Sequence, residues 1–504
     1  MRSADQGDEG QAGPDPVINF TDPERRARLA SGFAAVDQVF AEARERHRIP
    51  GLAYGVVVDG ELAHSGGIGV RQVGDSAAPR ADTVFRIASM TKSITGVCAM
   101  MLRDDGLLVL DDPVSKYVPQ LQGLRPPTRD SAPVTVRQLL TMSAGFVEDD
   151  PWADRHLSMS ESEFSTRLEG GIPFDWAPGL VFEYSNLGYG VVGRVVREVA
   201  GKSAMDLATE RLFRPLGMSD SVWEVSAVPT ERMAHGYRLE GGDWVDEPPL
   251  ASGAFAPMGG LWTTITDFAR YVAFQLAAWP ARDDPEGGPL RRSSAREMQQ
   301  PVRLLPAPNA KSPALKSAGY GYGLIAGEHS RDGQVVFHSG GLPGFGSHVH
   351  WLPDHGIGIM AFANLTYAPM RAVVNEAVDA LAATGGLIAR RPQPSPALVA
   401  AGAKIVALYE SWDDAVLEEL AADNLFLDRP VEQRRREFAE LRTKHGRAVE
   451  LAELVSFGAM RGSWRLRCES GNLAATIWLA PTTPPRIQVL SLTPEPANGE
   501  DSEP

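Results

Sequence analysis

Cysteine is scarce in this sequence of 504 residues, which contains only Cys98 and Cys468. A disulfide-stapled scaffold needs several closely spaced cysteines, so the sequence excludes that class of small secreted protein and predicts two free thiols. No apolar run approaches the roughly 20 residues that span a bilayer. The polar N-terminus also lacks the apolar segment of a signal peptide. We therefore expect a cytoplasmic protein with no membrane partner.

Basic residues are in deficit. Lys and Arg total 49 against 64 Asp and Glu, which gives a net charge of −15. Binding nucleic acid requires a basic surface, so we expect no nucleic-acid partner, and docking on an anionic membrane surface is equally disfavoured. The sequence has neither a phosphate-binding glycine loop nor a Gly-x-Ser-x-Gly elbow, which argues against a P-loop protein and against an α/β-hydrolase.

Metal ligands are few. His348 and His350 alternate along one apolar run, so they would share a face of a strand. Two-residue spacing of histidines can bind a metal, but no Cys, Asp or Glu motif completes such a site. We expect no metal and no cofactor.

The length predicts two or three domains, and the composition varies along the chain in a way that places them. Residues 1–16 are polar and rich in Gly, which predicts a disordered tail. A large domain would cover residues 17–386, and the prolines of residues 387–398 predict a linker. A small domain would follow at 399–493, before an acidic, disordered tail at 494–504.

The order of elements in the large domain is not an alternation of strands and helices. An apolar strand at 52–58 is followed by an Asp-Gly turn and a return strand at 61–70. Many helices come next, and strands at 349–352 and 358–364 precede a helix at 369–383. This order predicts an α/β fold in which helices flank an antiparallel sheet, together with an all-helical subregion.

The small domain reads as helices followed by strands. Helical periodicity covers 399–411, 413–422 and 430–446, and strand-like runs follow at 449–455, 463–468, 473–479 and 486–492. This order is typical of an α+β fold and resembles NTF2-like or cystatin-like domains. We expect it to have a structural role or to form a homo-oligomer.

The strongest chemical motif is Ser89-Met90-Thr91-Lys92. Apolar residues recur at helical spacing after it, so Ser89 lies near a helix N-terminus. Residues i and i+3 share a helix face, which places Lys92 one turn behind the serine hydroxyl. A desolvated lysine can lose its proton and act as a base. Alone the motif is weak, since the same spacing is common on solvated helices.

Two further motifs supply partners. In Tyr184-Ser185-Asn186, at a predicted junction before a helix, the Tyr hydroxyl can relay a proton. The Asn amide can donate to a substrate carbonyl and orient Lys92. In His338-Ser339-Gly340-Gly341, the glycines let a substrate approach the strand, and the amides of Gly341 and Ser89 can form an oxyanion hole.

The string of the third motif occurs twice. His64-Ser65-Gly66-Gly67 lies upstream of Ser89, in the return strand of the first hairpin. We interpret this copy as structural.

The three motifs, in this order, resemble those of the serine β-lactamase and penicillin-binding-protein superfamily. They are most similar to the class C-like branch, which contains esterases, D-aminopeptidases and related hydrolases. The segments Phe85-Arg86-Ile87-Ala88, 139–145, 259–264 and 322–324 also look like segments of this family. The resemblance covers about residues 25–385 and implies a β-lactamase-like fold for the large domain.

The resemblance also implies roles for the motif residues. Ser89 would be the acylated nucleophile, Lys92 its general base and Tyr184 the proton shuttle, while Asn186 would hold the substrate amide. The third motif, with its residues His338, Gly340 and Gly341, would bind substrate and oxyanion.

His338 stands where many relatives carry lysine. A histidine is mostly neutral at pH 7, so the site would lack a permanent cation for a substrate carboxylate. We therefore expect a serine hydrolase of the esterase or D-amino-acid peptidase/amidase type that acts on a small ester, amide or peptide. We do not expect efficient penicillin hydrolysis or peptidoglycan D,D-peptidase activity. Two alternatives stay open: an acyl transferase or cyclase that uses the same site, and a catalytically silent binding protein with this shell.

Overall fold

The computed structural model describes residues 20, 22–306 and 314–495. The predicted tail at 1–16 lies outside these residues, as does 496–504 of the predicted acidic tail. The chain divides into two compact units, one spanning residues 22–389 and one beginning at residue 390. Among the described residues, no helix combines the length and the apolar character that a membrane span requires.

The first unit contains helices on both sides of a large sheet. Its helices are α1 Arg25–Ser31, α2 Phe33–Arg46, α3 Thr91–Asp104, α4 Val136–Leu140, α5 Asp150–Ala153, α6 Glu161–Glu169, α7 Asn186–Ala200, α8 Ala204–Ala208, α9 Arg214–Leu216, α10 Ala256–Gly259, α11 Ile265–Leu276, α12 Arg292–Met298 and α13 Met370–Ala382. Its strands are β1 Gly51–Val58, β2 Glu61–Gly69, β3 Phe85–Arg86, β4 Tyr237–Glu240, β5 Asp243–Asp246, β6 Trp262–Thr263, β7 Arg303–Leu304, β8 Leu315–Tyr320, β9 Ile325–His329, β10 Gly333–Leu342, β11 Phe345–Leu352 and β12 Ile357–Ala363.

The eight-stranded sheet has the order β2-β1-β12-β11-β10-β9-β8-β7, and its neighbouring strands are antiparallel. Every residue of β1 is buried, because the strand lies between β2 and β12 with helices over both faces. The turn to β2 uses Asp59 and Gly60 at φ of 52° and 85°. Positive φ at both turn residues is what a tight hairpin requires. The α/β fold with a flanked antiparallel sheet is therefore confirmed.

The residues of β1 alternate between two cores. Ala53 and Val57 pack with α11 and the helical subregion, whereas Leu52, Tyr54 and Val56 pack with α2 and α13. In the helical subregion, α3 is buried from Thr91 to Leu102, over all but its last two residues. A helix that is enclosed on all sides is held by packing, so α3 is a rigid support for the groups at its N-terminus.

The second unit has four helices followed by a four-stranded antiparallel meander. The helices are α14 Pro396–Glu410, α15 Asp414–Leu420, α16 Leu425–Asp428 and α17 Val431–His445, and the strands are β13 Ala448–Gly458, β14 Arg461–Cys468, β15 Gly471–Leu479 and β16 Ile487–Pro494. The predicted order of helices and strands is confirmed. The likeness to NTF2-like or cystatin-like domains stays a prediction.

Two predicted boundaries move at prolines. The last three residues of the predicted linker belong to α14, because Ser395 caps the helix by accepting from the Leu398 N–H and Pro396 occupies the first turn. Proline suits that position, where its missing N–H has no partner within the helix. Pro494, assigned to the acidic tail, ends the edge strand β16, which is a position that proline tolerates.

Candidate active site

Ser89 lies in a tight turn, residues Ala88–Met90, immediately before α3. Ala88 adopts a φ of 49°, a left-handed conformation that costs a non-glycine residue about 1–2 kcal/mol. The sheet holds this turn in place. The Ser347 hydroxyl donates to the Ile87 carbonyl at 2.8 Å, and a Cβ on Gly340 would lie 2.1 Å from the same oxygen. The strand β10 therefore touches the nucleophile turn closely enough to require glycine there.

Lys92 is wholly buried, and its ammonium has a fixed set of partners. Nζ donates to Ser89 Oγ at 3.0 Å, to Asn186 Oδ1 at 2.6 Å and to the Met258 carbonyl at 2.9 Å. Burial lowers the pKa of Lys92 to about 8, although the carboxylates of Asp150, Asp154 and Asp149 oppose this change. A lysine with this pKa is partly neutral near pH 7–8, where it can accept the proton of Ser89.

Tyr184 lies beside both Ser89 and Lys92. Its ring centroid is 4.9 Å from Lys92 Nζ. Burial raises the pKa of Tyr184 well above its ordinary value, and a hydrogen bond with Ser89 only partly opposes this. The hydroxyl therefore keeps its proton at neutral pH and is suited to passing a proton along rather than to acting as a standing phenolate.

Asn186, the first residue of α7, is wholly buried and uses both ends of its amide inside the protein. Oδ1 accepts from Lys92, as predicted, and Nδ2 donates to Asp150 Oδ1 at 2.5 Å. The neighbouring Asp149 carboxylate accepts from the backbone N–H groups of Asn186 and Leu187, at 2.7 and 2.8 Å. Asn186 thus links the lysine to a carboxylate, and its predicted contact with substrate stays a prediction.

His338 is buried between the sheet and the cavity. Its Nδ1 donates to the Ser339 carbonyl at 2.6 Å, and its Nε2 accepts from the Tyr320 hydroxyl at 2.9 Å. Burial, with the nearby charge of Lys92, lowers the pKa of His338 to about 3. The imidazole is therefore neutral throughout the physiological pH range.

These groups surround a cavity of about 340 Å³. Five predicted site residues line it, namely Ser89, Tyr184, His338, Gly340 and Gly341. The other two contact the cavity indirectly: Lys92 donates to Ser89, and Asn186 accepts from Lys92. The structure thus brings all seven predicted residues into one site, although they come from segments about 250 positions apart.

The sequence reading missed three acidic residues on and beside α5. Asp150 lines the cavity, while Asp149 and Asp154 are buried beside it, so that burial raises their pKa values to about 6 and about 7. Their signal was present in the sequence. Asp149-Asp150-Pro151 is a helix-start pattern, and Asp150 and Asp154 are four residues apart, which places them on one helix face.

Two histidines singled out in the sequence, His64 and His350, make contacts away from this cavity. His64, in the repeated string on β2, donates to the Asp37 carboxylate at 2.6 Å and stacks on Phe33 of α2. The strand β2 lies four positions from β10 in the sheet order. His350 bonds to Asn375 at 3.1 Å. Within the part of the chain that the structure describes, no group of three or more His, Cys, Asp or Glu side chains could hold a metal ion.

A family model described as Beta-lactamase matches residues 36–384, which is more than half of the chain. The chain belongs to the beta-lactamase family. It is similar to the protein flp of Staphylococcus aureus (strain COL), with 27% identity over 337 residues, 66% of this chain and 64% of that protein. The chain therefore spans less than two thirds of the length of that relative.

Two other members and neighbours of the beta-lactamase family are informative. The D-alanyl-D-alanine-carboxypeptidase/endopeptidase AmpH of Escherichia coli (strain K12) is 27% identical over 354 residues, 70% of this chain and 86% of that protein. The octameric penicillin-binding protein homologue from Pyrococcus abyssi has a TM-score of 0.58 at 20% identity, covering 89% of this chain and 96% of that one. The predicted superfamily and fold are confirmed.

Proposed function

We propose that this protein hydrolyses small esters or amides through a covalent acyl-enzyme on Ser89. The observation that carries the proposal is the distance of 3.0 Å between Lys92 Nζ and Ser89 Oγ, combined with a lysine pKa lowered to about 8. A nucleophile within hydrogen-bond reach of an activated base is the arrangement that acyl transfer requires.

The reaction would run in two halves. Neutral Lys92 takes the proton of Ser89 as Oγ attacks the carbonyl carbon, and the backbone N–H groups of Ser89 and Gly341 stabilise the resulting oxyanion. The proton passes from Lys92 through Tyr184 to the leaving group, whose bond to the carbonyl carbon then breaks. In the second half, water attacks the acyl-enzyme, loses its proton along the same relay, and Ser89 leaves as an alcohol.

The charges around the cavity support esters and small amides over penicillins. Neutral His338 supplies no cation beside the third motif, and the carboxylate of Asp150 lines the cavity near Ser89. A substrate carboxylate on that side would meet repulsion. An ester, or an amide that carries an amino group, avoids this cost. D-amino-acid amides and peptides are substrates of the second kind.

One observation favours a second candidate, a peptidase that recognises a free C-terminal carboxylate. Arg371 is among the residues that line the same cavity, and its guanidinium stacks on the Phe337 ring at 4.5 Å. Arginine pairs with carboxylates through two parallel hydrogen bonds, and the name of AmpH describes a carboxypeptidase. Hydrolysis of D-alanyl-D-alanine peptides, with loss of that activity in Arg371→Ala, would support this candidate over simple ester hydrolysis.

The test of the proposal is covalent labelling followed by turnover. A fluorophosphonate probe should label the wild-type protein, and Ser89→Ala should abolish both labelling and hydrolysis of p-nitrophenyl esters. Ser65→Ala, in the exposed strand that repeats the third motif, is the matched control and should keep both. Labelling of the Ser89 variant would remove the mechanism. A wild-type protein that is not labelled and that hydrolyses none of the p-nitrophenyl esters would favour a catalytically silent binding protein.

Transfer to an acceptor other than water uses the same site. Product analysis at high amine concentration separates the two reactions, because an amide product shows that the amine captured the acyl group. Free acid alone supports hydrolysis.

We also propose a homo-oligomer formed through the second unit. Its sheet exposes apolar side chains, including Val449, Trp478 and Val489, which are 69%, 40% and 36% exposed. The octameric assembly named for the Pyrococcus abyssi homologue supports the same expectation. Light scattering of the wild type and of Trp478→Glu tests it, since a charge in this face should shift the mass toward the monomer.

A further inference from the structure

Tyr367 has an unusual backbone conformation beside the catalytic cavity. It lies in the loop between β12 and α13, lines the cavity and is 52% exposed. Its φ is 52°, a left-handed conformation that a bulky residue rarely adopts. Such conformations persist where the surroundings enforce them, and they concentrate at functional sites.

Hydrogen bonds at Tyr367 and at the residue before it hold this conformation. The Tyr367 N–H donates to the Phe345 carbonyl at 3.1 Å, and the Thr366 N–H donates to the Tyr237 carbonyl at 2.8 Å. The Thr366 hydroxyl accepts from the Gly344 N–H at 2.7 Å. The loop is therefore tied to strand β11 and to the turn that precedes it.

The loop crosses a pair of glycines in the sheet. Gly341 of β10 and Gly346 of β11 are register partners. A Cβ on Gly341 would lie 2.5 Å from Tyr367 Cδ1, and a Cβ on Gly346 would lie 2.5 Å from the Ala368 nitrogen. Both positions require glycine because the Tyr367 ring and the backbone that follows it lie directly on the strands.

The hydroxyl end of Tyr367 reaches the opposite wall. It donates to Asp154 Oδ2 at 2.7 Å, and Asp154 follows α5, whose first residue, Asp150, also lines the cavity. Asp154 is only 2% exposed. The side chain thus spans from the oxyanion strand at Gly341 to the helical wall at Asp154.

We propose that Tyr367 is a specificity-determining residue: its ring, which lies on Gly341, closes the cavity on that side and limits the size of the substrate group there. The inference rests on the proposed function, because it assumes turnover at Ser89. It assigns the preferred substrate to esters or amides with a small group on that side of the carbonyl.

The experiment compares kcat/KM over two ester series. One series varies the acyl group from acetyl to benzoyl with a constant p-nitrophenol leaving group, and the other varies the alcohol of acetate esters. Tyr367→Gly removes the ring, and glycine suits the left-handed backbone, so the fold should be retained. Tyr367→Phe keeps the ring and is the matched control. A thermal melt of each variant checks the fold.

Tyr367→Gly should raise the kcat/KM of the bulky ester relative to the small one by at least about tenfold in one of the series. Tyr367→Phe should keep the wild-type ratio within about threefold. Unchanged ratios in both series, or an equal loss for every ester, would overturn the proposal. An equal change in the Phe variant would also overturn it, because the ring would then not set the limit. A wild type that fails both fluorophosphonate labelling and ester turnover would instead refute the proposed function.

Discussion

The charge of Asp150 should control the pH at which the base becomes active. The carboxylate reaches Lys92 through the Asn186 amide, which accepts from Nζ at 2.6 Å and donates to Asp150 at 2.5 Å. A negative charge favours the protonated form of a lysine and so raises its pKa. Removing the charge in Asp150→Asn should therefore lower the pKa of Lys92, while the Asn carbonyl can still accept from Asn186.

The magnitude follows from Coulomb's law. Charges about 6 Å apart at an effective dielectric constant of about 20 interact by about 3 kcal/mol. About 1.4 kcal/mol corresponds to one pKa unit, so complete removal of this interaction would lower the pKa of Lys92 by about two units. Solvent at the cavity screens the interaction and reduces the expected shift to about one to two units. The wild-type activity should rise with a pKa of about 8, and that of the variant should rise at lower pH.

The assay is the pH dependence of kcat/KM for an ester, which reports the ionisations of the free enzyme. Glu198→Gln is the matched control, because it removes the same charge from an exposed position on α7. That residue is about 18 Å along the helix from Asn186, well beyond the screening length at physiological salt. If the rise of kcat/KM with pH is unchanged in Asp150→Asn, or moves to higher pH, Lys92 is not the base beside this carboxylate.

Three further predictions concern stability and reactivity. Folding raises the pKa of Asp154 from 3.8 to about 7, so the wild type loses stability as pH rises between these values. As the pH rises from 4 to 7.5, the free energy of unfolding of Asp154→Asn in urea should therefore increase by about 1–4 kcal/mol relative to that of the wild type. A difference between the two proteins that stays constant with pH would contradict this. Gly340→Ala, whose Cβ would lie 2.1 Å from the Ile87 oxygen, should cost about 1–3 kcal/mol in the same assay. It should also lower kcat/KM about a hundredfold, whereas Gly287→Ala, in open space, should change neither. Burial raises the pKa of Cys98 to about 12, so mass spectrometry should find it unalkylated by iodoacetamide at pH 8 until the protein unfolds; native labelling would contradict its burial.

Local patterns in the sequence were sufficient for much of the architecture. The apolar run of β1, with an Asp-Gly turn after it, predicts a buried hairpin strand because both signals act over a few residues. The helices and strands of the second unit follow from their periodicity in the same way. The start of α14 did not follow from such patterns, because Pro396 begins the helix although its sequence context resembles a linker.

The sequence by itself determined which two side chains meet at the start of α3, because helical geometry places residues i and i+3 on one face and so brings Lys92 to Ser89. The sequence also predicted which other residues lie with this pair in one site, from the second and third motifs. Only the tertiary structure decided how those residues are used. Asn186, 94 positions from Lys92, links that lysine to Asp150, and Tyr367 meets Asp154 across 213 positions. Burial, which makes His338 neutral and lowers the pKa of Lys92, depends on the whole fold rather than on any local pattern.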